Sequence, residues 1–259
     1  MALAAVGELN LKYELMGANN APVLAFSNSL GTDLSMWEPQ CAALARQFRI
    51  LRYDMRGQGQ SSVVPGEGSI EQLARDFLGL LDVLGLERVS FCGLSMGGMI
   101  GMWLGVNAPE RLDALALCNT AARIGTKEMW NARIASVRQG GMQSVSAAVI
   151  ERWFTAEFRQ TSQLLVQRAR AMLKASPVEG YAACCAAIRD MDQTDSIGQI
   201  RVRTLVVAGA KDSVTPPGQS RFLVEHISGS ENVELDAAHL SNIERPDEFT
   251  SALNRFLLP

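Results

Sequence analysis

The sequence predicts an α/β protein: a mostly parallel, doubly wound sheet with a helical segment inserted into it. Three observations carry this. Short apolar runs at 23–26, 49–53, 89–92, 114–118 and 204–208 are mostly continuous, as strands buried on both faces are. Helical patterns separate most of these runs. A Gly-x-Ser-x-Gly pentapeptide, Gly93-Leu94-Ser95-Met96-Gly97, falls between one such strand and a helix-forming stretch.

The elements follow in order. Residues 11–15 and 23–26 read as strands, and 37–47 as a helix. After the strand 49–53, Asp54-Met55-Arg56-Gly57-Gln58-Gly59-Gln60-Ser61 reads as a structural turn. A helix over 70–84, the strand 89–92, a helix over 99–107 and the strand 114–118 come next. The alternation then stops, and 122–189 holds helix-like sequence without a strand. It resumes with strands at 204–208 and 232–235 and helices at 218–226 and 246–257. The expected division is a core of 1–121 and 190–259 with a helical cap at 122–189.

The bulk composition narrows the function. The chain has 259 residues, 47% hydrophobic and 20% charged, enough for a sizeable core. A net charge of −3 argues against a dedicated nucleic-acid partner. No run approaches the ~18 apolar residues of a membrane span. The N-terminal stretch lacks a secretory pattern. Five cysteines, none in a C-x-x-C pair, fit a reducing compartment, and a soluble cytoplasmic protein is expected. Charge is uneven, however. Residues 122–190 hold ten basic and five acidic side chains, near +5, which leaves the remainder near −8.

The pentapeptide supplies a candidate nucleophile, Ser95. A serine hydroxyl needs a neighbouring base. Of the two histidines, His226 falls in a helical pattern, whereas His239 follows the last strand-like run and is the candidate base. A carboxylate must orient the imidazole. Asp212, at the end of the run 205–212, is preferred over Asp236, Asp190, Asp192, Asp195 and Asp54. The order Ser…Asp…His and the strand–turn–helix context fit acyl transfer. That chemistry needs N–H donors for an oxyanion. One is the Met96 N–H. The other is expected in Ser27-Asn28-Ser29-Leu30-Gly31-Thr32-Asp33, at the Leu30 N–H. Two histidines give no metal-ligand cluster, and neither metal nor cofactor is required.

These residues together resemble the α/β-hydrolase family over nearly the whole chain. Within it, Ser27–Asp33 with Met36-Trp37, Asp54-Met55-Arg56-Gly57, Gly93–Gly98, Asn119-Thr120-Ala121-Ala122-Arg123-Ile124-Gly125 and Ala237-Ala238-His239-Leu240-Ser241-Asn242-Ile243-Glu244 resemble β-ketoadipate enol-lactone hydrolases. Related hydrolases usually carry His-Gly-x where this chain has Asn28-Ser29-Leu30. The resemblance implies hydrolysis of 3-oxoadipate enol-lactone to 3-oxoadipate in bacterial aromatic-compound degradation. The implied partner is a small anionic lactone. A basic lid suits an anion, and Arg133 is the candidate for its carboxylate, sharing a helical face with Trp130. The alternatives use the same triad: a carboxylesterase, a cofactor-free perhydrolase or a C–C bond hydrolase. A non-catalytic binding protein of this fold is a fourth reading, which an intact Ser–Asp–His set disfavours.

Overall fold

The structure, a computed structural model, describes residues 2–258. In chain order, β1 (Ala2–Val6), β2 (Leu9–Met16) and β3 (Val23–Ser27) precede α1 (Glu38–Leu44) and β4 (Arg49–Tyr53). Then come α2 (Ile70–Val83), β5 (Val89–Leu94), α3 (Met96–Asn107) and β6 (Leu112–Cys118). Five consecutive helices follow: α4 (Lys127–Gly140), α5 (Gln143–Trp153), α6 (Ala156–Thr161), α7 (Gln163–Ala175) and α8 (Val178–Asp190). The chain ends with β7 (Thr204–Gly209), α9 (Pro217–His226), β8 (Glu231–Leu235), α10 (Ser241–Glu244) and α11 (Pro246–Leu257).

The eight strands form one sheet in the order β1-β2-β4-β3-β5-β6-β7-β8. β1 and β4 pair antiparallel with β2, and every other pair is parallel. The order reverses around β3, which lies between β4 and β5. In open α/β sheets the loops at such a switch point leave a crevice at the carboxyl ends of the strands. The central strands β5 and β7 are buried at every position. Their continuous apolar runs are what made them visible in the sequence.

Four elements differ from expectation. β1 was not anticipated: it is an alanine-rich edge strand, exposed at three of five positions, held by pairing such as Ala4↔Leu11. The helix expected at 37–47 is a 3₁₀ turn at Leu34–Trp37 followed by a shorter α1. α3 begins at Met96, three residues early, because Gly97 and Gly98 hide its start from a periodicity reading. β8 was found, but as an exposed edge strand and not a strand buried on both faces.

Aromatic packing fixes the layers. Phe26 stacks on Trp37 with centroids 4.5 Å apart, and Trp37 meets Phe249 of α11. Tyr53, Phe77 and Phe91 continue the core through β4, α2 and β5. All five cysteines are buried and unbridged. No helix among the described residues is long and apolar enough to cross a membrane.

Candidate active site

Ser95 follows the last residue of β5 and caps α3, with φ 57° and ψ −114°. That left-handed backbone is uncommon for a residue with a side chain. The surroundings hold it there. Its N–H donates to Cys118 O at 2.9 Å, and its carbonyl accepts the Thr120 hydroxyl at 2.7 Å. The flanking glycines have no room for a side chain. A Cβ on Gly93 would lie 2.1 Å from Gly97 O, and one on Gly97 would lie 2.2 Å from Ser27 O. The pentapeptide is therefore a steric requirement of joining β5 to α3 beneath the β3 loop.

Asp212 lies in the loop after β7 and His239 in the loop after β8, and the fold brings them together. His239 Nδ1 sits 2.8 Å from Asp212 Oδ2, with both side chains buried. The carboxylate is saturated with donors. Oδ1 accepts the N–H of Val214 at 2.7 Å and of Thr215 at 3.0 Å. Oδ2 also accepts the Thr215 hydroxyl at 2.7 Å and Asn119 Nδ2 at 3.0 Å. Burial alone pushes this carboxyl up, but His239 and these donors outweigh it and hold Asp212 below the usual range. An ionised Asp212 keeps the proton on Nδ1 and leaves Nε2 as the basic nitrogen.

Four of the five rival carboxylates are engaged elsewhere. Asp236 is exposed and pairs with Lys211 at 2.6 Å. Asp190 pairs with Arg189, and Asp192 with Arg123. Asp54 is structural: Oδ1 accepts Leu34 N–H at 2.7 Å and Oδ2 accepts Gln60 N–H at 2.9 Å. Burial raises its pKa to about 6. His226 is exposed and its Nδ1 contacts Phe222 O within its own helix.

Ser95 and His239 both line a partly open pocket whose empty space, adjoining solvent included, is about 420 Å³. Leu30 lines it too, on the loop after β3. Met96 N–H opens α3 and has no intrahelical acceptor. Neighbouring loop donors are taken: Gly31 N–H by Gln58 Oε1 at 3.0 Å and Thr32 N–H by Ser29 O. Asn28 explains the departure from His-Gly. Its amide donates to Tyr53 O and accepts from Trp37 Nε1, each at 2.9 Å, and so anchors the loop to β4 and the core.

The opposite wall comes from the inserted helices. Trp130 and Arg133 of α4 line it, with the guanidinium 5.4 Å from the indole centroid. Arg152 of α5 lines it as well. Neither arginine pairs with a carboxylate among the described residues. Burial first, and repulsion from Arg133 second, lower the pKa of Arg152. The sequence offered Arg152 only as one of ten basic residues. Its approach to Arg133 depends on how α4 and α5 pack. The sequence gives no sign of the role of Asn119, since its partner Asp212 is 93 positions away.

This arrangement defines a class. A model of the alpha/beta hydrolase fold matches residues 22–246, and the chain belongs to that family. It is 39% identical to 3-oxoadipate enol-lactonase 1 of Acinetobacter baylyi, over 95% of this chain and 92% of that one. It is 40% identical to 3-oxoadipate enol-lactonase 2 of the same organism, with the same coverage. The crystal structure of the enol-lactonase from Burkholderia xenovorans LB400 superposes with a TM-score of 0.98 at 46% identity, covering 99% of this chain and 100% of that one.

Proposed function

We propose that this enzyme hydrolyses 3-oxoadipate enol-lactone to 3-oxoadipate, a step of bacterial aromatic-compound degradation, by nucleophilic catalysis. The supporting observation is one cavity lined by Ser95, His239 and two arginines, with His239 backed by a buried carboxylate. Ser95 Oγ attacks the lactone carbonyl while His239 Nε2 takes its proton. The Leu30 and Met96 N–H groups receive the oxyanion. Collapse breaks the ring C–O bond, and His239 returns the proton to the departing enol oxygen. The enol relaxes to a ketone. Water, deprotonated by His239, then attacks the acyl-enzyme and frees Ser95.

The product carries two carboxylates, one made at Ser95 and one present from the start. Arg133 and Arg152 supply positive charge for the second, with Trp130 as an apolar wall beside it. In this reading helices α4–α8 act as a cap over the substrate, which is a small anion. The five free thiols fit a reducing compartment, and we assign the reaction to the cytoplasm on that ground.

The test is turnover of purified protein on the enol-lactone beside a panel of neutral esters. The lactone should be hydrolysed with a kcat/KM well above that of any neutral ester. Equal or better use of a neutral ester would overturn the substrate assignment and leave a general carboxylesterase.

A further inference from the structure

Glu244 is a carboxylate buried without a cation. It closes α10 and is only 3% exposed, and no lysine or arginine pairs with it among the described residues. Neutral donors from two directions fill its oxygens. Oε2 accepts Ala238 N–H at 2.9 Å. Oε1 accepts the Thr155 hydroxyl, and the Thr155 N–H lies 3.3 and 3.4 Å from the two oxygens. Ala238 is the residue before His239. Thr155 caps α6 within the inserted helices. The carboxylate therefore joins the insertion to the histidine loop.

The same corner makes a second hold on that loop. Leu240, on the other side of His239, donates its N–H to Trp153 O at 3.0 Å. Ala238 is further fixed through its carbonyl, which accepts Asn119 Nδ2 at 3.2 Å. Both backbone neighbours of His239 are thus tied to the junction of α5 and α6. That junction also sends Arg152 and Trp153 into the cavity wall. A carboxylate left without its donors in such a place is costly, so the fold is held to the arrangement that supplies them.

We propose that Glu244 is a positioning residue: it transmits the seating of the helical insertion to His239 and sets the reach of the imidazole toward Ser95. The proposal rests on the Ser95–His239–Asp212 reading but not on the identity of the substrate. Its test therefore avoids the lactone. The full-length wild type is compared with Glu244→Gln, Glu244→Ala and Thr155→Val. Three quantities are measured: the rate of labelling by a neutral fluorophosphonate, kcat and KM on a neutral p-nitrophenyl ester, and the melting temperature.

Glu244→Ala should slow labelling and kcat together by about 10–100-fold with KM within about twofold, because a 1 Å misplacement near the chemistry costs up to ~10²-fold. Glutamine keeps an acceptor for Ala238 and should recover most of that loss. Thr155→Val, altered only on the insertion side, should slow both by a smaller factor. A Glu244→Ala protein that melts lower but labels at the wild-type rate below its transition would overturn the proposal, since the glutamate would then only stabilise the fold. Glutamine as slow as alanine would overturn it too. Should Glu244→Ala not fold, unchanged labelling and kcat in Thr155→Val would do the same. Mass spectrometry that finds the wild-type adduct on a serine other than Ser95 would remove the triad reading and this proposal with it.

Discussion

At the residue scale, Ser95 stands out in the sequence because it follows the continuous apolar run of β5, whereas His239 follows the mostly exposed β8 and stands out as the histidine outside a helical pattern. Their supports are not. Asn119 reaches Asp212 across 93 positions and Glu244 meets Thr155 across 89, so both contacts depend on the whole fold, whereas Thr215 binds Asp212 within a single turn that carries no periodic signal. The triad reading predicts that Ser95→Ala removes nearly all turnover and that His239→Ala costs about as much, since the members act as a unit. Asp212→Asn should lower kcat by up to ~10⁴-fold through loss of the correct tautomer. Near-normal turnover in that variant would move the role to another carboxylate. Sterics give a separate expectation for Gly97→Ala, whose new Cβ would sit 2.2 Å from Ser27 O. Backbone cannot yield as a side-chain tip can, so the variant should melt several degrees lower and lose labelling at Ser95. Asp54 bears on pH. Its folded pKa, raised by burial to about 6, lies above its unfolded value, so the native state binds the extra proton between ~4 and 6. Its contribution to stability is full below that window and falls as pH rises through it. Urea unfolding of wild type and Asp54→Asn should therefore show the wild type gaining relative stability from pH 7 to pH 4. A difference independent of pH would refute the shifted titration.

At the scale of elements, continuous burial decided what could be read. β5 and β7 announce themselves because neither face meets water, and β6 is exposed only at Asp113. The edge strand β1 carries no such signal and exists because β2 is there to pair with. Glycines at the start of α3 serve a close backbone approach, and so erase the periodicity that marks a helix. The helices α4–α8 were legible as helices but not as a wall. Their apolar stripes show that they pack, while the meeting of Arg133 and Arg152 follows from tertiary geometry. This sets a prediction for the pair. Arg133→Ala and Arg152→Ala should each weaken kcat/KM on the enol-lactone by roughly 1.5–3 kcal/mol, the size of a charge-assisted hydrogen bond. Neutral-ester turnover should change little. An equal loss on both substrates would mark the arginine as a packing residue, and Arg123, Lys127 or Arg138 would be tested next.

At the scale of the molecule, a basic insertion near +5 is set on an acidic remainder near −8. Not all of that charge is free to act. Arg123, Arg138 and Arg189 are neutralised by Asp192, Glu179 and Glu67. The surplus that reaches the cavity is carried by Arg133 and Arg152. Stopped-flow measurement of kcat/KM on the lactone should fall as salt rises to ~0.1 M, where exposed charges are screened beyond about 10 Å. A neutral ester should show little of this dependence, and parallel salt curves would exclude electrostatic attraction of the substrate. The buried thiols give the whole chain a built-in chemical clock. Cys184 and Cys185 sit in α8, with pKa values pushed by burial to about 12, while Cys92 and Cys118 sit in β5 and β6. All of them are buried, so slow reaction is expected while the fold stays closed. If the inserted helices lift away without the sheet melting, a dithiopyridine should consume two equivalents early and the other three, Cys41 of α1 with the two strand thiols, only when the core itself opens. The number of equivalents released in each phase thus separates local breathing from global denaturation, with no introduced label.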